Sequence, residues 1–166
     1  MAKLQKIVPS LWFDDQAEEA AKLYVSIFPD SKIGRIVRYT KAGFETHRQP
    51  AGSVMTVELS LSGQDFIALN GGSVFQFNEA VSLMITCDTQ QEIDYYWDKL
   101  TAHGGQEGPC GWCKDKFGLS WQVAPSILQE MLADPDTVKV ERVTEAYLKM
   151  KKFDIEQLRQ VFEGKN

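Results

Sequence analysis

The chain says the same thing twice. A strand-like run from Val8 to Phe13 ends at Asp14 and passes through Gln16 and Glu18 into a helical stretch, and 74 residues on, a run from Ser82 to Cys87 ends at Asp88 and passes through Gln90 and Glu92 into another. Each copy then continues into strand-like segments divided by glycine turns. The repeat predicts two copies of one module, each a strand, a helix and about three further strands. A chain built this way is α+β.

The composition agrees with a folded domain. At 166 residues the chain suits one well-buried domain or two small modules sharing a sheet. Hydrophobic content of 43% and charged content of 25% are ordinary for a soluble protein. The net charge is −5 and no segment gathers Lys and Arg into a basic stripe, which argues against a nucleic-acid partner. No apolar run approaches the roughly 20 residues of a membrane span. The opening Met1-Ala2-Lys3-Leu4-Gln5-Lys6 lacks the apolar stretch of a signal peptide, so the expected location is the cytoplasm.

The first strand is expected over about Ile7 to Phe13. Asp14-Asp15 can cap the helix that follows, about Ala17 to Phe28, whose Ala20, Leu23, Tyr24, Ile27 and Phe28 form an apolar stripe closed by Pro29. Ile33 to Tyr39 alternates as a strand, with Ile33, Arg35, Val37 and Tyr39 on one side and Ile36 and Arg38 on the other. Lys41 to Gly52 has no period and reads as a mobile loop. Val54 to Leu61 and Phe66 to Leu69 flank a Ser62-Gly63-Gln64-Asp65 hairpin turn. In the second copy, Ile93, Tyr96, Trp97 and Leu100 mark a helix closed by Gly104-Gly105. A strand pair follows at Trp112 to Lys114 and Leu119 to Ala124, and Pro125 ends it. The modules thus span about 6–72 and 79–125 of a domain over 1–125. A helical extension over 126–166 has no counterpart in the first copy; its helices are Ser126 to Ala133, Thr137 to Met150 and Ile155 to Phe162.

Among groups that could do chemistry, Cys110-Gly111-Trp112-Cys113 stands out, yet no helix pattern follows Cys113 to activate a redox dithiol. Small, partly buried thiols beside an aromatic are the plainer reading. The chain holds too few Cys and His for a zinc site, since Cys87, His47 and His103 are scattered. No nucleophile elbow, dinucleotide fingerprint or phosphate loop occurs. Aromatics are the better clue: Trp12, Phe66, Phe75, Phe77, Trp112, Phe117 and Trp121 fall on strand segments or their ends. Alternation puts Leu11 and Phe13 toward the helix and Ser10 and Trp12 away from it. In the same way Met84 and Thr86 oppose Leu83 and Ile85, and Ser120, Gln122 and Ala124 oppose Trp121 and Val123. A face holding Trp12, Met84 and Gln122 is either an apolar ligand pocket with few polar anchors or a packed sheet face.

These residues resemble a known family. Pro9-Ser10-Leu11-Trp12-Phe13-Asp14 with Glu18-Glu19-Ala20 and Leu23-Tyr24, the Asn70-Gly71-Gly72 step, and above all Cys110 through Gln122 are similar to the PhnB-like branch of the glyoxalase/bleomycin-resistance/dioxygenase (vicinal oxygen chelate) superfamily. The likeness spans about Lys6 to Ala133, and Asp115 to Gln122 is its most specific part. It implies paired βαβββ modules forming a curved, cup-like mixed sheet, commonly in a homodimer. Enzymes of the wider superfamily hold a divalent metal at positions that fall here near Val8 or Pro9, near Ala68 or Asn70, at Ser82 and at Gln122. Only Gln122 and Asn70 among these could be ligands, and two neutral amides compensate a divalent charge poorly. Proteins of this branch often carry a ubiquinone-pathway methyltransferase label, but no Gly-rich strand-to-helix turn with a downstream acid supports a methyl-transfer cofactor.

The resulting expectation is a small-molecule-binding protein with no metal and no cofactor, with Trp12, Asn70, Met84, Trp112 and Gln122 as ligand contacts. A metal-assisted enzyme using Gln122, Asn70 and a substrate oxygen is the alternative. An interaction module whose cup is only a dimer core is the third reading. Asp115 is either a turn-capping carboxylate or a general base.

Overall fold

In the computed structural model, which describes residues 5–165, the first strand of each module hydrogen-bonds in parallel with the last strand of that module. In the first module these are β1 (Ser10–Phe13) and β4 (Gln64–Asn70), joined through helix α1 (Ala17–Ile27), β2 (Lys32–Arg38), a one-turn helix α2 (Phe44–His47) and β3 (Val54–Leu61). The sheet order is β1-β4-β3-β2. The second module repeats it with β5 (Leu83–Cys87), α3 (Gln90–Thr101), β6 (Gln106–Glu107), β7 (Trp112–Lys114) and β8 (Ser120–Pro125), ordered β5-β8-β7-β6. The fold is therefore α+β, two βαβββ modules each with a four-stranded mixed sheet, followed by helices α4 (Ser126–Leu132), α5 (Thr137–Tyr147) and α6 (Ile155–Phe162).

A parallel pair needs a crossover, and the crossover helix covers one face of its sheet. In the first module Ala17, Ala20, Ala21, Tyr24 and Ile27 of α1 are buried together with Leu11, Phe13, Val57, Leu59, Leu61, Phe66 and Ala68. In the second, Ile93, Trp97 and Leu100 of α3 are buried with Cys87, Cys113, Trp121 and Val123. The chain divides into two compact units, residues 1–76 and 77–166.

Several expectations need correction. β1 starts at Ser10, because Pro9 has no N–H for the ladder, and Ile7 is exposed. Asp14 and Asp15 do not cap α1; its Ala17 N–H is taken by Asn70 Oδ1 at 2.8 Å, from 53 residues away. The register slips between Ile33 and Ile36, so both meet residues of the helix-covered face, Leu59 and Val57, instead of pointing to opposite sides. Lys41 to Gly52 is not a featureless loop. It contains α2 and is pinned by His47, whose Nδ1 accepts from Gln49 N–H at 3.0 Å while its ring stacks on Tyr39 at 4.5 Å. Phe75 and Phe77 lie outside any strand, in the irregular connection to β5. The two-residue β6 has no alternation of its own to reveal it.

The C-terminal extension is part of the second unit and folds onto its βαβββ module. Met150 and Lys151 carbonyls accept the N–H groups of Cys110 and Gly111, both at 2.7 Å. Gln90, in the first turn of α3, donates to the Phe153 carbonyl and accepts from Ile155 N–H. Phe153 is buried against Gly111, where an added Cβ would lie 2.4 Å from the ring and 2.7 Å from the Val123 carbonyl, at φ +77. Gly111→Ala is therefore expected to cost about 2–3 kcal/mol in urea unfolding. Gly63→Ala, also at positive φ but with nothing within 4 Å, pays backbone strain alone, about 1 kcal/mol.

Candidate functional site

The face of the second sheet turned away from α3 brings three of the expected residues into one row. Met84 pairs with Gln122 across the parallel β5–β8 ladder, and Gln122 pairs with Trp112 across the antiparallel β8–β7 ladder. Residues in register share a face, so the three side chains stand side by side. Met84 is 52% exposed, and its sulfur lies 4.0 Å from Gln129 Nε2. Gln122 Nε2 donates to Ser82 Oγ at 2.8 Å. The next row on this face holds Ser120, Lys114 and Gln106 in register.

Along this face opens a cavity of about 380 Å³, lined by Trp112, Lys114, Ser120, Gln106, Pro109 and Glu79 among others. Met84 and Gln122 continue the face beyond that lining. Lys114 Nζ is paired with Glu79 Oε1 at 2.5 Å, and this ammonium holds the Glu79 carboxyl below the usual carboxylate range. Glu107, also in the lining, receives the Trp97 indole N–H at 3.2 Å and pairs with Lys151, and these two partners likewise hold its carboxyl low. Lys114, Ser120, Gln106 and Glu79 were absent from the expected contacts. Alternation from Trp112 could have nominated Lys114, but nothing in the sequence ties Glu79 to it.

The other two expected residues are neighbours in the first unit. Trp12 donates its indole N–H to the Gly72 carbonyl at 2.7 Å and meets Phe75 edge-on at 5.0 Å. Its ring fills the space beside Gly71, where a Cβ would approach within 2.2 Å. Asn70 is 5% exposed, accepts from Ala17 N–H and donates to the Val54 carbonyl at 3.1 Å. Both of its amide atoms thus hold α1 and β3 to the end of β4. Asn70→Ala leaves a buried carbonyl and a helix N–H unpaired, and about 2–4 kcal/mol of stability should be lost in chemical denaturation. Asn70→Asp keeps the acceptor and should recover part of it.

Asp115 is 2% exposed and works as a turn organiser. Its Oδ1 accepts from Phe117 and Leu119 N–H, and its Oδ2 accepts from the Trp121 indole at 2.9 Å. The thiols of Cys87 and Cys113 face the core, whereas Cys110 is only partly buried. Burial, with the nearby Asp115 carboxylate, pushes Cys113 up to about 12, and burial with Glu92 and Asp88 does the same for Cys87. Such groups stay protonated at pH 8, so Ellman's reagent should reach Cys87 and Cys113 only after unfolding. A thiol pKa raised from 9.0 to about 12 adds stability that is complete below pH 9 and is lost as pH climbs toward 12. A pH series of urea melts checks this.

The positions that the resemblance assigns to metal ligands offer Gln122, already bonded to Ser82, and Asn70, already bonded to the backbone. No carboxylate or imidazole stands among them, so they do not fit a divalent ion. Among the described residues, no three His, Cys, Asp or Glu side chains gather at metal-binding distance. No helix among them is long and apolar enough to cross a membrane. Neither strand-to-helix turn, Asp14-Asp15-Gln16 or Asp88-Thr89, contains a glycine.

Comparison with known families assigns a chain of this fold to a class. Residues 5–124 match the family model described as 3-demethylubiquinone-9 3-methyltransferase, and the chain belongs to this PhnB-like family. It is similar to the solved PhnB protein of Bacillus cereus, named for the same methyltransferase, at 34% identity over 74% of this chain and 100% of that one, with a TM-score of 0.63. It is also similar to protein PA1353 from Pseudomonas aeruginosa at 19% identity, over 73% and 97% of the two chains, with a TM-score of 0.57. A glyoxylase/bleomycin resistance protein/dioxygenase domain from Frankia matches at 18% identity over 73% and 97%, with a TM-score of 0.46. No curated protein matches the sequence.

Proposed function

We propose that this chain is a small-molecule-binding protein of the PhnB-like type that takes its ligand on the open face of the second sheet, with no resident metal. The observation that carries this reading is the row Met84–Gln122–Trp112 running beside a cavity of about 380 Å³. A mostly apolar concavity with an indole wall and a few placed polar groups is the usual make-up of a small-molecule site. Trp112 supplies flat apolar area at little entropic cost, and Gln122 and Lys114 supply orientation. Trp12 and Asn70, which serve the fold of the first unit, are not needed for it. A cytoplasmic homodimer, and a domain over 1–125 with an accessory extension over 126–166, complete the reading.

The strand-to-helix turns lend no support to the family's methyltransferase description. Methyl transfer needs a bound methyl donor, and the two strand-to-helix turns offer it no glycine for close backbone approach.

The test is a panel of aromatic and amphiphilic compounds screened by ligand-observed NMR and thermal melts, with metal analysis of the purified protein alongside. A hit is expected to raise the melting temperature in wild type and to lose about tenfold in affinity in Trp112→Ala. Stoichiometric Mn, Ni or Zn in the purified protein, or hits indifferent to Trp112, would overturn the reading.

A further inference from the structure

Resting on that reading, we infer that the pocket takes a small planar anion: an aromatic or conjugated acid whose ring lies on Trp112 and whose acidic oxygens replace Glu79 on Lys114. Trp112 and Lys114 are two residues apart on β7 and project from one face, about 7 Å from one another. That spacing suits a ring bearing an acid group. Lys114 sits on a strand paired on both sides, to Gln106 and to Ser120, so its position is set by the ladder. Its side chain is 31% exposed, whereas that of Glu79 is 63% exposed. Glu79 comes from the irregular segment before β5, so the carboxylate is the loosely held partner and the ammonium the fixed one.

A part-exposed ammonium set between Gln106 and Ser120 is best matched by an anion. Glu79 supplies one from within the chain, and an exposed ion pair of this kind is worth little, so a ligand that also stacks on Trp112 can displace it. The lining's other carboxylate does not repel such a ligand strongly, since Glu107 is engaged by Trp97 and Lys151. The geometry therefore favours an acid over a planar cation, for which the lining offers only carboxylates already paired.

Calorimetric titration with 2-naphthoate, neutral 2-naphthamide and cationic 2-naphthylmethylammonium decides it. Glu79→Gln removes the internal competitor and should tighten naphthoate by about twofold to fivefold while leaving naphthamide unchanged. Lys114→Met should weaken naphthoate about tenfold or more and naphthamide by less than about twofold, with Lys114→Arg restoring most of the loss. Because both side chains are part-exposed, these variants are expected to fold, and their melting curves check that. Naphthoate binding that ignores Glu79 and Lys114, or a preference for the cation, overturns the anion inference and leaves the pocket standing. Failure of all three probes to bind wild type, or binding that ignores Trp112, overturns the pocket itself.

Discussion

The parallel pairing of the first and last strand within each module is the constraint on which everything else depends. Parallel neighbours cannot be joined by a tight turn, so the chain must leave the sheet and return, and the helix that makes the crossing has to bury its apolar stripe on one face. That face becomes core: Leu11, Phe13, Val57 and Ala68 under α1, and Cys87, Cys113, Trp121 and Val123 under α3. With period-2 alternation, the same strands then have no choice but to turn Met84, Gln122, Trp112 and Lys114 to the other side. The candidate site is what the crossover leaves over.

That logic explains what was legible in the sequence. Apolar alternation marked the faces of β5 and β8 correctly, because burial on one side leaves a strong period-2 signal. It failed at β2, where a register slip puts Ile33 and Ile36 on the same face, since a bulge shifts the phase without changing composition. It was silent on β6, two residues long and polar, whose place comes only from its partner β7. The short helix α2 and the His47–Tyr39 stack were hidden because Gly43, Pro50 and Gly52 advertise a loop, while the order comes from ring contacts and a hydrogen bond.

The two helix starts show where local reading stops. α3 begins with a capping box, Thr89 and Glu92 exchanging hydrogen bonds with one another's backbone, a pattern written within four residues. α1 has acidic neighbours that suggest a local cap, but its Ala17 N–H is satisfied by Asn70 at the far end of the module. Asn70 therefore reads in sequence as a candidate contact and in structure as a clamp between helix, β4 and β3. The Cys110-Gly111-Trp112-Cys113 motif behaves in the same way. Its spacing invites redox chemistry, whereas its structure uses Gly111 as the seat for Phe153, buries Cys113 and sets the Trp112 indole along a cavity.

The duplication sharpens the functional argument. Ser10 pairs with Ile67, and Ile67 with Glu58, as Met84 pairs with Gln122 and Gln122 with Trp112, so these rows are equivalent. By the same registers Ser60 stands where Lys114 does. In the first module the row thus holds a serine, an isoleucine and a glutamate, and Glu58 is tied to Arg35 on the neighbouring strand. The indole of that face, Trp12 in the next row, is already spent on the Gly72 carbonyl and on Phe75, and the row's charged group has its counterion from within the same sheet. In the second module the equivalent places hold a thioether, an amide and an indole, with a lysine whose counterion comes from an irregular segment. One fold thus presents two faces of different chemistry. Had the repeat served packing alone, nothing would require one copy to set an indole, an amide and a lysine–glutamate ion pair together on one face. Their concentration in the second module is the strongest reason to look for the ligand there.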